Sequence, residues 1–235
     1  MIDVLSRHRL WYLLATLVLG IGAGLADQLL PGPLGYVLPL GALLLSVILL
    51  VAVVTVMGRP MPLVARPAVP SFDFLPGPAQ VLLTGALTLQ QGSQTTKAIV
   101  GSITGAPQPW EAFDLILRPF ALAVLIVLWT VVLRGMGLRL RPDGVHDRRL
   151  LGSVFVPWDA FGPDVVTPAT ATKLPLQVAR PDRVVRQGYY RGEPSARVSA
   201  ADRGRIGALL RMYAADPAAR TGIGHPDRLP VPAGD

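Results

Sequence analysis

Leu34-Gly-Tyr-Val-Leu-Pro-Leu-Gly-Ala-Leu-Leu-Leu-Ser-Val-Ile-Leu-Leu-Val-Ala-Val-Val-Thr-Val-Met57 contains no charged residue. Its stretch from Leu43 to Val56 is too apolar for a water-facing helix. A helix rises about 1.5 Å per residue, so roughly 20 such residues cross a hydrocarbon core of about 30 Å. This reading decides the fold class of the N-terminal half. Working backward, Pro31-Gly32-Pro33 makes a turn, because proline lacks the amide donor and resists helix continuation.

Before that turn, residues 10–30 form a second apolar segment. It opens with Trp11 and Tyr12, rings that favour the membrane interface, and follows Arg7 and Arg9. Gly24-Leu25-Ala26 resembles a signal-peptide cleavage site, but another apolar run follows at once, which favours a retained hairpin. A third segment covers 113–134. Its centre, Phe120 to Leu133, is uncharged, and Arg134, Arg139 and Arg141 follow it.

Residues 58–112 are rich in Pro, Gly, Thr and Gln. Within them, Gln80, Thr84, Thr88, Gln91 and Thr95 recur at helical spacing opposite Leu82, Leu83, Ala86 and Leu87. Two readings follow for residues 80–103. One is a fourth crossing with its polar stripe turned into a bundle. The favoured one is an interfacial amphipathic helix followed by a loop, since mid-bilayer Gln and Lys97 are costly.

Charge is unevenly distributed. The chain has 22 Lys+Arg and 15 Asp+Glu, a net charge of +7 with His neutral. Residues 134–235 carry 16 of those basic and 10 of those acidic residues. This composition break near Arg134 predicts a transmembrane region over 1–136, a water-soluble domain over 137–216 and a tail over 217–235. The basic excess fits anionic lipid headgroups better than nucleic acid, although positive-inside flanking arginines explain much of it. Arg134, Arg139, Arg141, Arg148 and Arg149 are the candidate lipid-surface contacts, and they predict a cytoplasmic C-terminal domain of a multi-pass plasma-membrane protein. Arg7 and Arg9 also favour the cytoplasm, which three crossings cannot reconcile and four can.

Two small features lie in the helices. Gly20 and Gly24 form a Gly-x-x-x-Gly pair that lets helix backbones approach closely, against a second copy or, more simply, against the second segment. Asp114 and Arg118 stand four apart, acid first, either as an intramembrane ion site or as a pair at headgroup level.

From Gly137 the pattern becomes short β-like runs, beginning with Leu138 to Arg141, the turn Pro142-Asp143-Gly144, and Val145 to Arg149. Val154 to Val156, Val165-Val166, Leu174 to Val178 and Arg183 to Arg186 are further candidates. Ser199 with Asp202 reads as a capping box opening a helix that carries Ile206, Leu209, Leu210 and Tyr213 on one face and ends at Asp216-Pro217. The expected fold is a small curled sheet or barrel with a C-terminal helix, an α+β domain behind three firm membrane helices, or four.

Gly137-Leu-Arg-Leu-Arg-Pro-Asp-Gly-Val145, then Val156-Pro-Trp-Asp159, then a terminal helix, resembles the bacterial PH-like domain of actinobacterial membrane proteins. The resemblance covers roughly residues 137–215. It implies a binding or assembly module rather than an enzyme, and it transfers no binding residue. Trp158 itself reads as core, and Arg180, Arg183 and Arg186 as a solvated face.

Chemical motifs are scarce. There is no cysteine, so thiolate chemistry and disulfides are excluded. His8, His146 and His225 are far apart, with no metal-ligand spacing. Nothing in the chain proposes a reaction or a cofactor. The expected function is a non-enzymatic membrane-anchored module that binds lipid headgroups or a protein partner. The alternative is a small transporter or an accessory subunit of a membrane complex, built on the stripe from Gln80 to Thr95 with Asp114 and Arg118.

Overall fold

The computed structural model describes residues 7–30, 32–105, 111–135, 137–166, 173–190, 193–197 and 202–229. The chain divides into two compact units, one of 1–57 with 78–134, the other of 58–77 with 135–235.

The first unit is helical. It contains α1 (Arg9–Leu29), α2 (Pro33–Val56), α3 (Pro78–Thr104) and α4 (Glu111–Arg134). α1, α2 and α4 are long and apolar enough to cross a membrane. Their large apolar side chains are largely exposed, Tyr36, Ile48, Val54, Phe120 and Ile126 among them. Such faces suit lipid, which is as apolar as they are.

The loop expected after an amphipathic helix within residues 80–103 is replaced by helix. α3 is one continuous helix of 27 residues, about 40 Å long. It packs against α1, α2 and α4 rather than lying apart from them. Its contacts with α1 advance in step. Leu13 clusters with Val81, the Tyr12 ring fills the space a side chain on Gly85 would need, Gly20 meets Leu89 and Gly92, and Gly24 meets Ser93 and Thr96. Residue numbers rise together on both helices, so α3 runs parallel to α1 along several turns. An ideal Cβ on Gly20 would stand 2.5 Å from the Leu89 carbonyl oxygen, and one on Gly24 2.6 Å from that of Ser93. The glycine pair is therefore a packing face, but its partner is α3, not α2.

Two threonines of the polar stripe of α3 are satisfied inside this unit, while the buried Thr95 hydroxyl has no partner among the described residues. The Thr84 hydroxyl donates to the Gln80 carbonyl at 2.8 Å, and the Thr88 hydroxyl to that of Thr84 at 2.7 Å. Trp129 Nε1 of α4 then donates to Thr88 Oγ1 at 2.8 Å. Near the far ends of α1 and α3, Lys97 Nζ pairs with Asp27 Oδ2 at 3.0 Å, so neither charge is left alone. Arg9 Nη2 donates to the Leu133 carbonyl at 3.1 Å, which ties the start of α1 to the end of α4.

Among the described residues the second unit holds nine strands. β1 (Leu63–Arg66), β2 (Ser71–Phe74), β3 (Gly137–Arg141), β4 (Gly144–Arg148), β5 (Gly152–Pro157) and β8 (Val185–Gly188) form one antiparallel sheet in the order β1-β2-β3-β4-β5-β8. β6 (Phe161–Val166), β7 (Lys173–Val178) and β9 (Ser195–Arg197) form a second, with β7 central. Among the described residues the two sheets do not close into a barrel. α5 (Arg203–Ala215) packs on β6 and carries Ile206, Leu209, Leu210 and Tyr213 into the core.

That core includes Phe72, Phe74, Leu138, Leu140, Val145, Val154, Val156 and Trp158. Trp158 sits in a single 3-10 turn between β5 and β6, 4% exposed, with Nε1 donating to the Arg141 carbonyl at 2.9 Å. It is a core residue with its polar handle satisfied.

Two boundaries differ from expectation. Residues 58–77 do not belong to the helical region; they supply β1 and β2 to the sheet. Asp202 stands at the N-cap of α5 and not three residues inside it, and its Oδ2 accepts from the Met61 amide at 2.8 Å. Ser199 lies outside the described residues.

Candidate functional site

Alternation in β3 and β4 sends Leu138, Leu140, Val145 and Asp147 inward. It sends Arg139, Arg141, His146 and Arg148 to the other face. The register then sets Arg139 opposite His146 and His146 opposite Phe155. Sequence alone left His146 as a generic histidine; only the hairpin register reveals its arginine neighbours.

The five arginines singled out from sequence fall in different places. Arg134 closes α4 in the helical unit, exposed, and lines an apolar groove with Leu17, Thr88, Ile126, Trp129 and Leu133. Arg139, Arg141 and Arg148 are brought together around His146. Arg139 is held by Asp73, its Nε 3.4 Å from Oδ2. Burial lowers the Arg139 guanidinium below its usual value, and Asp73 opposes that shift. Arg141 Nε lies 3.5 Å from Asp143 Oδ1, both well exposed.

Arg149 points elsewhere. Its Nε lies 2.9 Å from Asp147 Oδ2, and its Nη2 donates to the Tyr190 hydroxyl at 2.6 Å and to the Ser195 carbonyl at 2.8 Å. The guanidinium also lies over the Tyr190 ring, 4.1 Å from its centroid. With 20% of its side chain exposed, Arg149 ties β9 to the β4–β5 turn and is not presented to a surface. Burial raises the Tyr190 hydroxyl above its usual value.

His146 experiences the opposite pull. Burial lowers its value from 6.5, and Arg148, Arg139 and Arg141 lower it further, against Asp143. The ring is therefore held neutral at neutral pH in a field that already carries three positive groups.

Other expected features contribute less. The side chain of Asp114 lies outside the described residues, so its pairing with Arg118 is not described. Among the described residues no group of three or more His, Cys, Asp or Glu is placed to hold a metal ion. Comparison of the chain with protein families, with curated proteins and with solved structures finds no match.

Proposed function

We propose that this chain is a non-enzymatic membrane anchor with four crossings, carrying a basic PH-like sheet module that binds anionic headgroups or an acidic partner protein. The observation that carries the topology is the pairing of β2 with β3, Phe72 with Leu140 and Asp73 with Arg139. β2 precedes α3 and β3 follows α4. Hydrogen-bonded neighbours in one ladder occupy the same side of a bilayer, so an even number of crossings separates them. α4 is apolar enough to cross. α3 then crosses too, and its parallel packing along α1 supports that direction.

Four crossings remove the conflict between the arginine clusters. Arg7 and Arg9 before α1 and the arginines after α4 then share one side, which the positive-inside bias makes cytoplasmic. Arginine near an anionic leaflet contributes about 1 kcal/mol each. The transporter reading has less support, because Thr84 and Thr88 bond within α3 and Trp129 occupies the Thr88 oxygen.

A reporter fused after Asp235 tests the side. Activity of a cytoplasm-dependent reporter is expected; activity only of an export-dependent reporter would contradict the proposal.

A further inference from the structure

The outer face of β3, β4, β5 and β8 gathers donors that the anchor reading leaves without a task. Arg139 faces His146, Ser153 faces Arg148, and Gln187 faces Ser153 in the register. Cross-strand partners on one face stand about 4.5–5.5 Å apart at Cβ, so these groups form one patch. Arg148 makes no ion pair among the described residues. Beside it lies a concavity of about 320 Å³ lined by Arg141, Asp143, His146, Ser153, Phe155 and Gln187.

We propose that this concavity binds a phosphate group, presented either by a lipid headgroup or by a small soluble phosphate ester. The chemistry is that of phosphate recognition. Guanidinium forks match its oxygens with charge-assisted bonds. Ser153 and Gln187 add neutral donors, and the imidazole can add one more. An apolar edge is supplied by Phe155 and, across the register, Val185. Like charges gathered on one face repel, and a bound anion relieves that repulsion.

His146 makes the site responsive to pH. The groups that face it are Arg139 and Arg141 from β3, Asp143 from the turn, Arg148 from its own strand, Ser153 and Phe155 from β5, and Val185 and Gln187 from β8. Without a ligand the arginines oppose its protonation. A bound dianion favours it, so by linkage binding tightens as pH falls through the titration of His146. Asp143 acts against the ligand, since its carboxylate already occupies Arg141.

This inference rests on the reading that the basic module binds an anionic partner, and it names the site. Calorimetry on the full chain in neutral detergent tests it with two probes: glycerol 3-phosphate, and mixed micelles containing phosphatidic acid. Arg148→Gln should weaken binding by about tenfold. Asp143→Asn should tighten it several-fold, a gain that damaged folding cannot produce. Between pH 8 and pH 6, relative to the titration of the phosphate itself, the pH dependence of binding should be flatter in His146→Gln than in the native chain. Binding of the soluble ester assigns a soluble ligand; binding of the micelles alone assigns a headgroup. Binding indifferent to both Arg148→Gln and Asp143→Asn would overturn this site while leaving a general basic surface. No binding of either probe would overturn this site and the headgroup reading together, leaving an acidic partner protein for the module.

Discussion

Asp73 of β2 and Arg139 of β3 are direct cross-strand partners, with Oδ2 3.4 Å from Nε, although both α3 and α4 intervene between them in the chain. Arg66 Nε lies 2.8 Å from the same oxygen, and the Ser71 hydroxyl donates to Oδ1 at 2.9 Å. One carboxylate with 3% side-chain exposure thus anchors two arginines and joins two distant segments. Asp73→Asn leaves Arg66 and Arg139 without their counter-charge. The carboxylate is buried but both guanidiniums reach solvent, so the loss is about 1–3 kcal/mol. A clear drop in the thermal midpoint of the sheet unit is expected by circular dichroism of the purified full chain, and an unchanged midpoint would sink the assignment.

The seam between α1 and α3 admits no added methyl at Gly20. The obstruction is backbone, the Leu89 carbonyl, which cannot rotate aside. Gly20→Ala should destabilise the helical unit by about 1–3 kcal/mol. Gly22→Ala, two residues on, meets nothing within 4 Å and should be neutral. Equal behaviour of the two variants in detergent melts would refute the seam.

Arg149→Lys separates a structural tie from a surface charge. Lysine keeps the charge but cannot serve Asp147, Tyr190 and Ser195 at once. A loss of about 2 kcal/mol is expected in chemical denaturation. A lipid-contacting arginine would tolerate the exchange.

Stability should also depend on pH through His146. Its folded-state value lies below 6.5, so the unfolded chain binds the proton more readily. Its contribution is fully present above pH about 6.5 and is lost as pH falls through the lower folded value. Melting midpoints should fall on acidification below neutrality, less steeply in His146→Gln.

Much of this was legible in the sequence for definite reasons. α1, α2 and α4 announce themselves because lipid demands unbroken apolar runs, and β3, β4 and β5 because Pro142-Asp143-Gly144 and alternation mark a hairpin. α3 is ambiguous in the sequence because its threonines and glutamines look costly in a bilayer. Thr84 and Thr88 return their hydrogens to their own helix, which composition cannot reveal. β1 and β2 were invisible for another reason. Four residues each in a proline-rich stretch are too short for a firm reading, although Ser71-Phe72-Asp73-Phe74 alternates, and their partner β3 lies far along the chain. The basic patch was half legible: its arginines stood out, but their convergence on His146, and the turning away of Arg149, depend on strand register.

The even number of crossings between β2 and β3 is the central claim, and the absence of cysteine makes its test clean. Single cysteines would be placed at Val69 and Tyr189, which are 55% and 59% exposed, and at Thr104 at the end of α3. Each would be treated with a membrane-impermeant maleimide in intact and in lysed cells. The account predicts that Val69→Cys and Tyr189→Cys react only after lysis, while Thr104→Cys reacts in intact cells. Labelling of Val69→Cys and Tyr189→Cys from opposite sides, or of Thr104→Cys from the same side as both, would contradict it.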